Sequence, residues 1–144
     1  MAAVLLDASL VVLLGVVTVS DLRTRLIPDA PLVVGLLLAV GVVAASAPDK
    51  LPGRLAAGTG AGGFLLAAAL VRPHGMGLGD VKLAAVLGVY LGFPVVGAMV
   101  VAFASGSLVG LGLIARYGWS ARGHTIAFAP CLALGALVAM ALRL

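Results

Sequence analysis

Asp21-Leu22-Arg23-Thr24-Arg25-Leu26-Ile27-Pro28 closes a strongly apolar run from about Ala3 to Ser20, and Gly77-Leu78-Gly79-Asp80 leads into a second one at Val81-Lys82-Leu83. The chain has five acidic residues, all Asp, set in largely lipid-like surroundings. A carboxylate at the edge of hydrocarbon is costly to keep charged, so it marks a functional site by default. Two of them on one side of a membrane are the parts of a proton-sharing acid/base dyad.

The length of 144 residues fits a single domain, 1–144. With 63% hydrophobic and 10% charged residues and a mean hydropathy of +1.28, the chain departs from soluble domains, where about 25% of residues are charged. The expected fold is all-α, a polytopic membrane protein in contact with the lipid bilayer. The formal net charge of +4 has no basic run or aromatic-interleaved patch behind it. Its cations therefore set orientation and do not bind nucleic acid. One cysteine, Cys131, excludes an internal disulfide and a CxxC zinc site, and reads as a small buried thiol. The first residues lack the basic region and cleavage site of a secretory signal, so the first segment is expected to stay in the mature protein.

Crossing the hydrocarbon takes roughly 20 apolar residues. Six segments come close: about Ala3 to Ser20, Pro31 to Ala47, Leu55 to Val71, Val81 to Gly92, Pro94 to Ala115, and Thr125 to Leu142. Turn chemistry falls between them at Ile27-Pro28-Asp29, Pro48-Asp49, Leu51-Pro52-Gly53, Arg72-Pro73-His74-Gly75, Phe93-Pro94 and Arg116 to His124. The odd connections carry Arg23, Arg25, Arg72, Lys82, Arg116 and Arg122; the even side carries Lys50, Arg54 and Arg143. The positive-inside rule then puts both termini outside, with Asp21 and Asp80 on the cytoplasmic face.

The fourth segment is short for a bilayer, and the glycines before it suit an irregular, protein-buried lead-in. Asp80 is thus expected below the membrane surface, in a wet cavity lined by protein. Small residues four apart (Gly58 and Gly62, Gly88 and Gly92, Gly106 and Gly110) allow close helix packing.

Two close carboxylates hydrolyse a peptide asymmetrically: one takes a proton from water while the other, protonated, polarises the scissile carbonyl. Like charges in a low-dielectric site do not both ionise easily, so the proton belongs to the pair. That chemistry calls for no metal and no cofactor. His74 and His124 are far apart, and no H-E-x-x-H occurs. The plainer readings are a loop aspartate paired with Arg23 or Arg25 for Asp21, and a helix N-cap for Asp80.

Together the two stretches resemble the type IV prepilin peptidases, membrane aspartyl proteases of the GxGD class. D-x-R-x-x-x-I-P is matched at Asp21, Arg23, Ile27 and Pro28, and G-x-G-D-V-K-L at Gly77, Gly79, Asp80, Val81, Lys82 and Leu83. The resemblance implies a catalytic pair of Asp21 and Asp80 in the inner membrane, facing the cytoplasm. It also implies prepilin-like protein substrates cut between a basic leader and an apolar helix. Longer family members carry paired cysteines in an extra region linked to N-methylation. This chain starts at its first segment with one cysteine, which points to a peptidase-only form without methyltransferase activity. The family's late F-G-P appears as Phe128-Ala129-Pro130, where Pro130 is expected to break or kink the last segment and the Ala129 methyl to tighten a backbone approach.

Lys82 is read as snorkelling to the interface. Asp29 is read as the N-cap of the second helix, Asp7 and Asp49 as residues of the outer side, and Tyr117 and Trp119 as interfacial aromatics. Rival functions are a small proton-coupled transporter, a non-catalytic scaffold of a pilus or secretion apparatus, and a presenilin-like protease. Acidic residues scattered through membrane depth would favour the transporter; segments two, three, five and six have none. A homo-oligomer is left open, as are the particular pilin and the order in which the dyad assembles.

Overall fold

The computed structural model describes residues 1–71, 77–118 and 127–142. Readings that fall on Arg72 to Gly75, Trp119, Arg122, His124, Thr125 and Arg143 lie outside the described residues. The described chain forms six α-helices and a short 3-10 turn, with no strand among the described residues: α1 (Ala2–Thr24), α2 (Asp29–Ser46), the turn Pro48–Lys50, α3 (Leu51–Val71), α4 (Leu78–Leu91), α5 (Val95–Tyr117) and α6 (Ala129–Leu142).

By length and composition, four of these helices are fit to cross a bilayer: α1, α2, α3 together with its leading turn, and α5. The protein is a multi-pass membrane protein. The other two helices, α4 and α6, have 14 residues each, about 21 Å of rise. Both are short of a full crossing, and both are the more heavily buried helices of the bundle. Eight residues of α4 and seven of α6 are buried, far denser burial than on the long helices. Contact with protein over much of its surface is how a short helix limits a mismatch with lipid.

Helix α4 packs most extensively on α3, then on α2 and α6, while α6 packs on α5, α1 and α4. Small residues make this possible. A methyl on Gly58 would meet the Ala85 carbonyl oxygen at 2.7 Å, one on Gly62 would meet Ala85 Cβ at 2.8 Å, and one on Gly88 would overlap the Gly58 backbone. Gly135 of α6 lies equally close to Ala98 of α5. Backbones in contact are how helices associate where lipid and leucine are equally apolar. Gly92 does something else: it ends α4 at φ +74°, a conformation that glycine adopts without strain.

Several boundaries differ from the sequence expectation. Leu51-Pro52-Gly53 is the first turn of α3, where proline is tolerated because the early amides lack intrahelical partners. Arg54, expected only as an outer-side cation, donates to the carbonyls of Val89 (3.2 Å) and Tyr90 at the end of α4. Those carbonyls are otherwise orphaned, and a cation favours the negative end of a helix dipole. Helix α6 starts at Ala129, not at Thr125: residues 127–128 are not helical, and Pro130 lies in the first turn, so it starts the helix and does not kink it.

Candidate active site

Helix α1 continues one turn beyond Ser20, which places Asp21 inside the helix and not in the loop of the plainer reading. Its buried residues are Leu6, Leu10, Leu13, Leu14, Val17 and Asp21, a stripe at spacings of three and four. The carboxylate therefore points where the leucines point, into the protein. The same holds on α4, where Asp80 continues the buried face of Leu83, Ala84 and Leu87. Asp21 is 6% exposed and Asp80 8%, and they are the buried charged side chains among the described residues.

The turn after α1 is built locally. Arg25 takes the left-handed conformation (φ 54°) and donates its amide to the Asp21 carbonyl at 2.9 Å. The hydroxyls of Ser20 and Thr24 donate to the Leu26 carbonyl at 3.0 and 3.4 Å. Pro28 caps α2 in an extended conformation, and the residue before a proline is itself biased to be extended. The chain thus leaves α1, turns, and delivers Ile27 onto Gly79: a methyl on Gly79 would stand 2.9 Å from Ile27 Cβ. So the two sequence motifs, more than fifty residues apart in the chain, are in direct contact.

Gly77 is the N-cap of α4, and the Asp80 amide donates to its carbonyl at 3.1 Å. Asp80 is therefore not the cap; it lies in the first turn, where an acidic side chain is favoured by the helix dipole, and its carboxylate accepts a hydrogen bond from the backbone amide of the cap residue Gly77. Its Oδ1 is buried with no hydrogen-bond partner among the described residues. Buried polar atoms are nearly always paired, so an orphan oxygen is a place for a proton, a water or a substrate group. Asp21 is near enough to act on Asp80 electrostatically. On its other side, Asp21 Oδ2 accepts a buried hydrogen bond of 3.3 Å from the Ala129 amide at the start of α6. Three helix ends converge here: the last turn of α1 and the first turns of α4 and α6.

The remaining motif residues lie elsewhere. Lys82 does not snorkel free: its ammonium pairs with Asp29 at 2.7 Å, both side chains more than half exposed. Asp29 correspondingly does not cap α2; it is the first helical residue, after the cap Pro28. Arg23 and Arg25 are exposed and make no ion pair with Asp21 among the described residues. Cys131 is a free buried thiol, as its sequence context implied. Asp7 is exposed, and Asp49 sits in the 3-10 turn between α2 and α3. Among the described residues no three His, Cys, Asp or Glu side chains gather into a metal-holding group. The Ala129 amide escapes sequence reasoning, because a backbone donor carries no residue signature; the proline after it is its one trace.

An all-helical membrane protein with two buried aspartates at converging helix ends is the class that fold and geometry define. A family model, the type IV leader peptidase family, matches residues 8–115, which take in both aspartate stretches. The chain belongs to the type IV leader peptidase family. No curated protein and no solved structure matches it significantly.

Proposed function

We propose that this protein is a membrane aspartyl endopeptidase that removes the basic leader from prepilin-like precursors at the cytoplasmic face, with Asp21 and Asp80 as its catalytic pair. The observation that carries this reading is the burial of these two carboxylates within electrostatic reach of each other, one of them with an orphan oxygen. Family membership supplies the substrate class.

The pair works with one proton between its two carboxyl groups. The ionised member takes a proton from a water held between them, and the resulting hydroxide adds to the scissile carbonyl carbon. The protonated member gives its proton to the carbonyl oxygen, forming a neutral tetrahedral diol. When the diol collapses, the C–N bond breaks and the leaving nitrogen gains a proton. The leader keeps the new carboxyl group and the mature protein the new amine. Water, peptide and protons balance without any further reactant. Because an extended backbone must enter the site, leader residues at the cut are non-helical.

A proton-coupled transporter would need ionisable groups spread across the membrane. Among the described residues the buried charged side chains are confined to Asp21 and Asp80, which favours a local reaction over a transmembrane path.

The test is cleavage of co-expressed candidate prepilins by the wild type, Asp21→Asn and Asp80→Asn, read as a size shift on a gel. Asn keeps the shape and removes the titrating proton. Both variants should insert and neither should cut. Cleavage by both would remove the catalytic role assigned here.

A further inference from the structure

We infer that the first turn of α6 is a positioning device for Asp21, in which the Ala129 amide holds the carboxylate and Phe128 fixes the amide. The inference rests on the peptidase reading above and assigns a further group to the same site.

The first four amides of a helix have no intrahelical acceptor. In α6 three of those positions are already accounted for. Pro130 has no N–H, while the amides of Cys131 and Leu132 both donate to the Phe128 carbonyl, at 3.0 and 3.1 Å. Ala129 is left as the available donor in the turn, and it points at Asp21 Oδ2, 3.3 Å away. Both partners are buried, Ala129 completely so. An amide bond to a charged acceptor is stronger than a neutral one, and the positive end of the α6 dipole adds to it.

The donor is itself held in place. The Phe128 ring packs on Phe103 of α5, with centroids 5.4 Å apart, and Phe103 packs edge-on against Phe64 of α3 at 6.2 Å. Gly106 leaves room for this ring: a methyl there would meet Phe128 Cε2 at 3.2 Å. Asp21 itself sits near the end of a helix, followed within a few residues by a turn, and its own side chain has two rotatable bonds. Fixing one carboxylate oxygen from a separate helix sets the direction of the other. Pro130 then has a reason beyond starting the helix: it removes the donor next to Ala129, so that a single amide addresses the carboxylate.

The inference is tested with the full-length protein in liposomes and a purified prepilin that the wild type cuts and Asp21→Asn does not. Ala129→Pro deletes the donor at a position where helices accept proline, after a residue, Phe128, that is already non-helical. kcat should fall about tenfold to a hundredfold, the size expected for one hydrogen bond to a charged group, with KM unchanged. Ala129→Gly restores the amide and should restore most of kcat. A merely structural cap predicts the reverse: lower stability with kcat per folded molecule intact, and that result overturns the inference. Should Ala129→Pro fail to insert, the amide proton resonance of 15N-labelled Ala129 decides the matter. It should lie downfield in the wild type and move upfield in Asp21→Ala; an unmoved resonance overturns the inference. Cleavage by Asp21→Asn would instead remove the peptidase reading itself, and the inference with it.

Discussion

Ile27 rests on Gly79 so closely that a methyl on the glycine would stand 2.9 Å from Ile27 Cβ. This contact joins the end of α1, through its turn, to the start of α4, and so sets how Asp21 and Asp80 face each other. The Cβ of isoleucine is tied to its backbone and has little freedom to give way. Gly79→Ala should therefore displace α4 or the turn, at a cost of about 1–3 kcal/mol for overpacking, and should slow cleavage. Ile27→Gly in the same chain removes that Cβ and should recover part of the loss. A double-mutant cycle on cleavage rate checks this; strictly additive effects would mean the two residues do not act through their contact.

The glycines of α3 are not equivalent. Gly58 and Gly62 abut α4, whereas Gly60 and Gly63 have nothing within 4 Å of an added methyl. Gly58→Ala and Gly88→Ala should each lower stability by roughly 1–3 kcal/mol or more. Gly60→Ala and Gly63→Ala should be neutral or slightly stabilising, since alanine is the better helix former. Thermal unfolding in detergent separates the two pairs.

The Asp29–Lys82 bridge joins the starts of α2 and α4 but is largely exposed. Such pairs contribute about 0–1 kcal/mol and weaken with salt. Lys82→Met and Asp29→Asn should therefore change unfolding only slightly, and alike. If Lys82→Met stops cleavage while Asp29→Asn leaves it unchanged, Lys82 acts on the site by a route other than this bridge.

A dyad that works with one shared proton is inactive when both carboxyls are protonated and again when both are ionised. The rate should fall on the acid side and on the alkaline side, the two limbs belonging to the pair and not to either residue. A profile without an acid limb would argue against it. Since the reaction as written uses water alone, EDTA should leave the rate unchanged, and a loss that zinc restores would sink the dyad.

Much of this architecture could be read from the chain. Apolar runs bounded by proline, glycine and charge gave the helices, because a bilayer tolerates few other ways of satisfying a backbone. The two aspartates stood out because charge is so scarce here. The stripe Leu6, Leu10, Leu13, Leu14, Val17 also pointed to Asp21, had the helix been carried one turn past Ser20. Elsewhere the pattern was mute. In helices apolar on every side, periodicity does not mark a buried face, so the sequence could not say that α4 and α6 are the most heavily buried helices.

By itself, then, the sequence determined an all-helical membrane chain, two aspartates at helix ends and the family to which they belong. Each follows from hydropathy, turn chemistry and short motifs, all of them local. Tertiary structure alone decided that Ile27 meets Gly79, that Lys82 pairs with Asp29, and that the Ala129 amide reaches Asp21 across 108 residues of chain. These contacts depend on which nearly interchangeable apolar helices pack together. That choice is made by close backbone approaches at Gly58, Gly88 and Gly135, whose significance appears only once the helices are side by side.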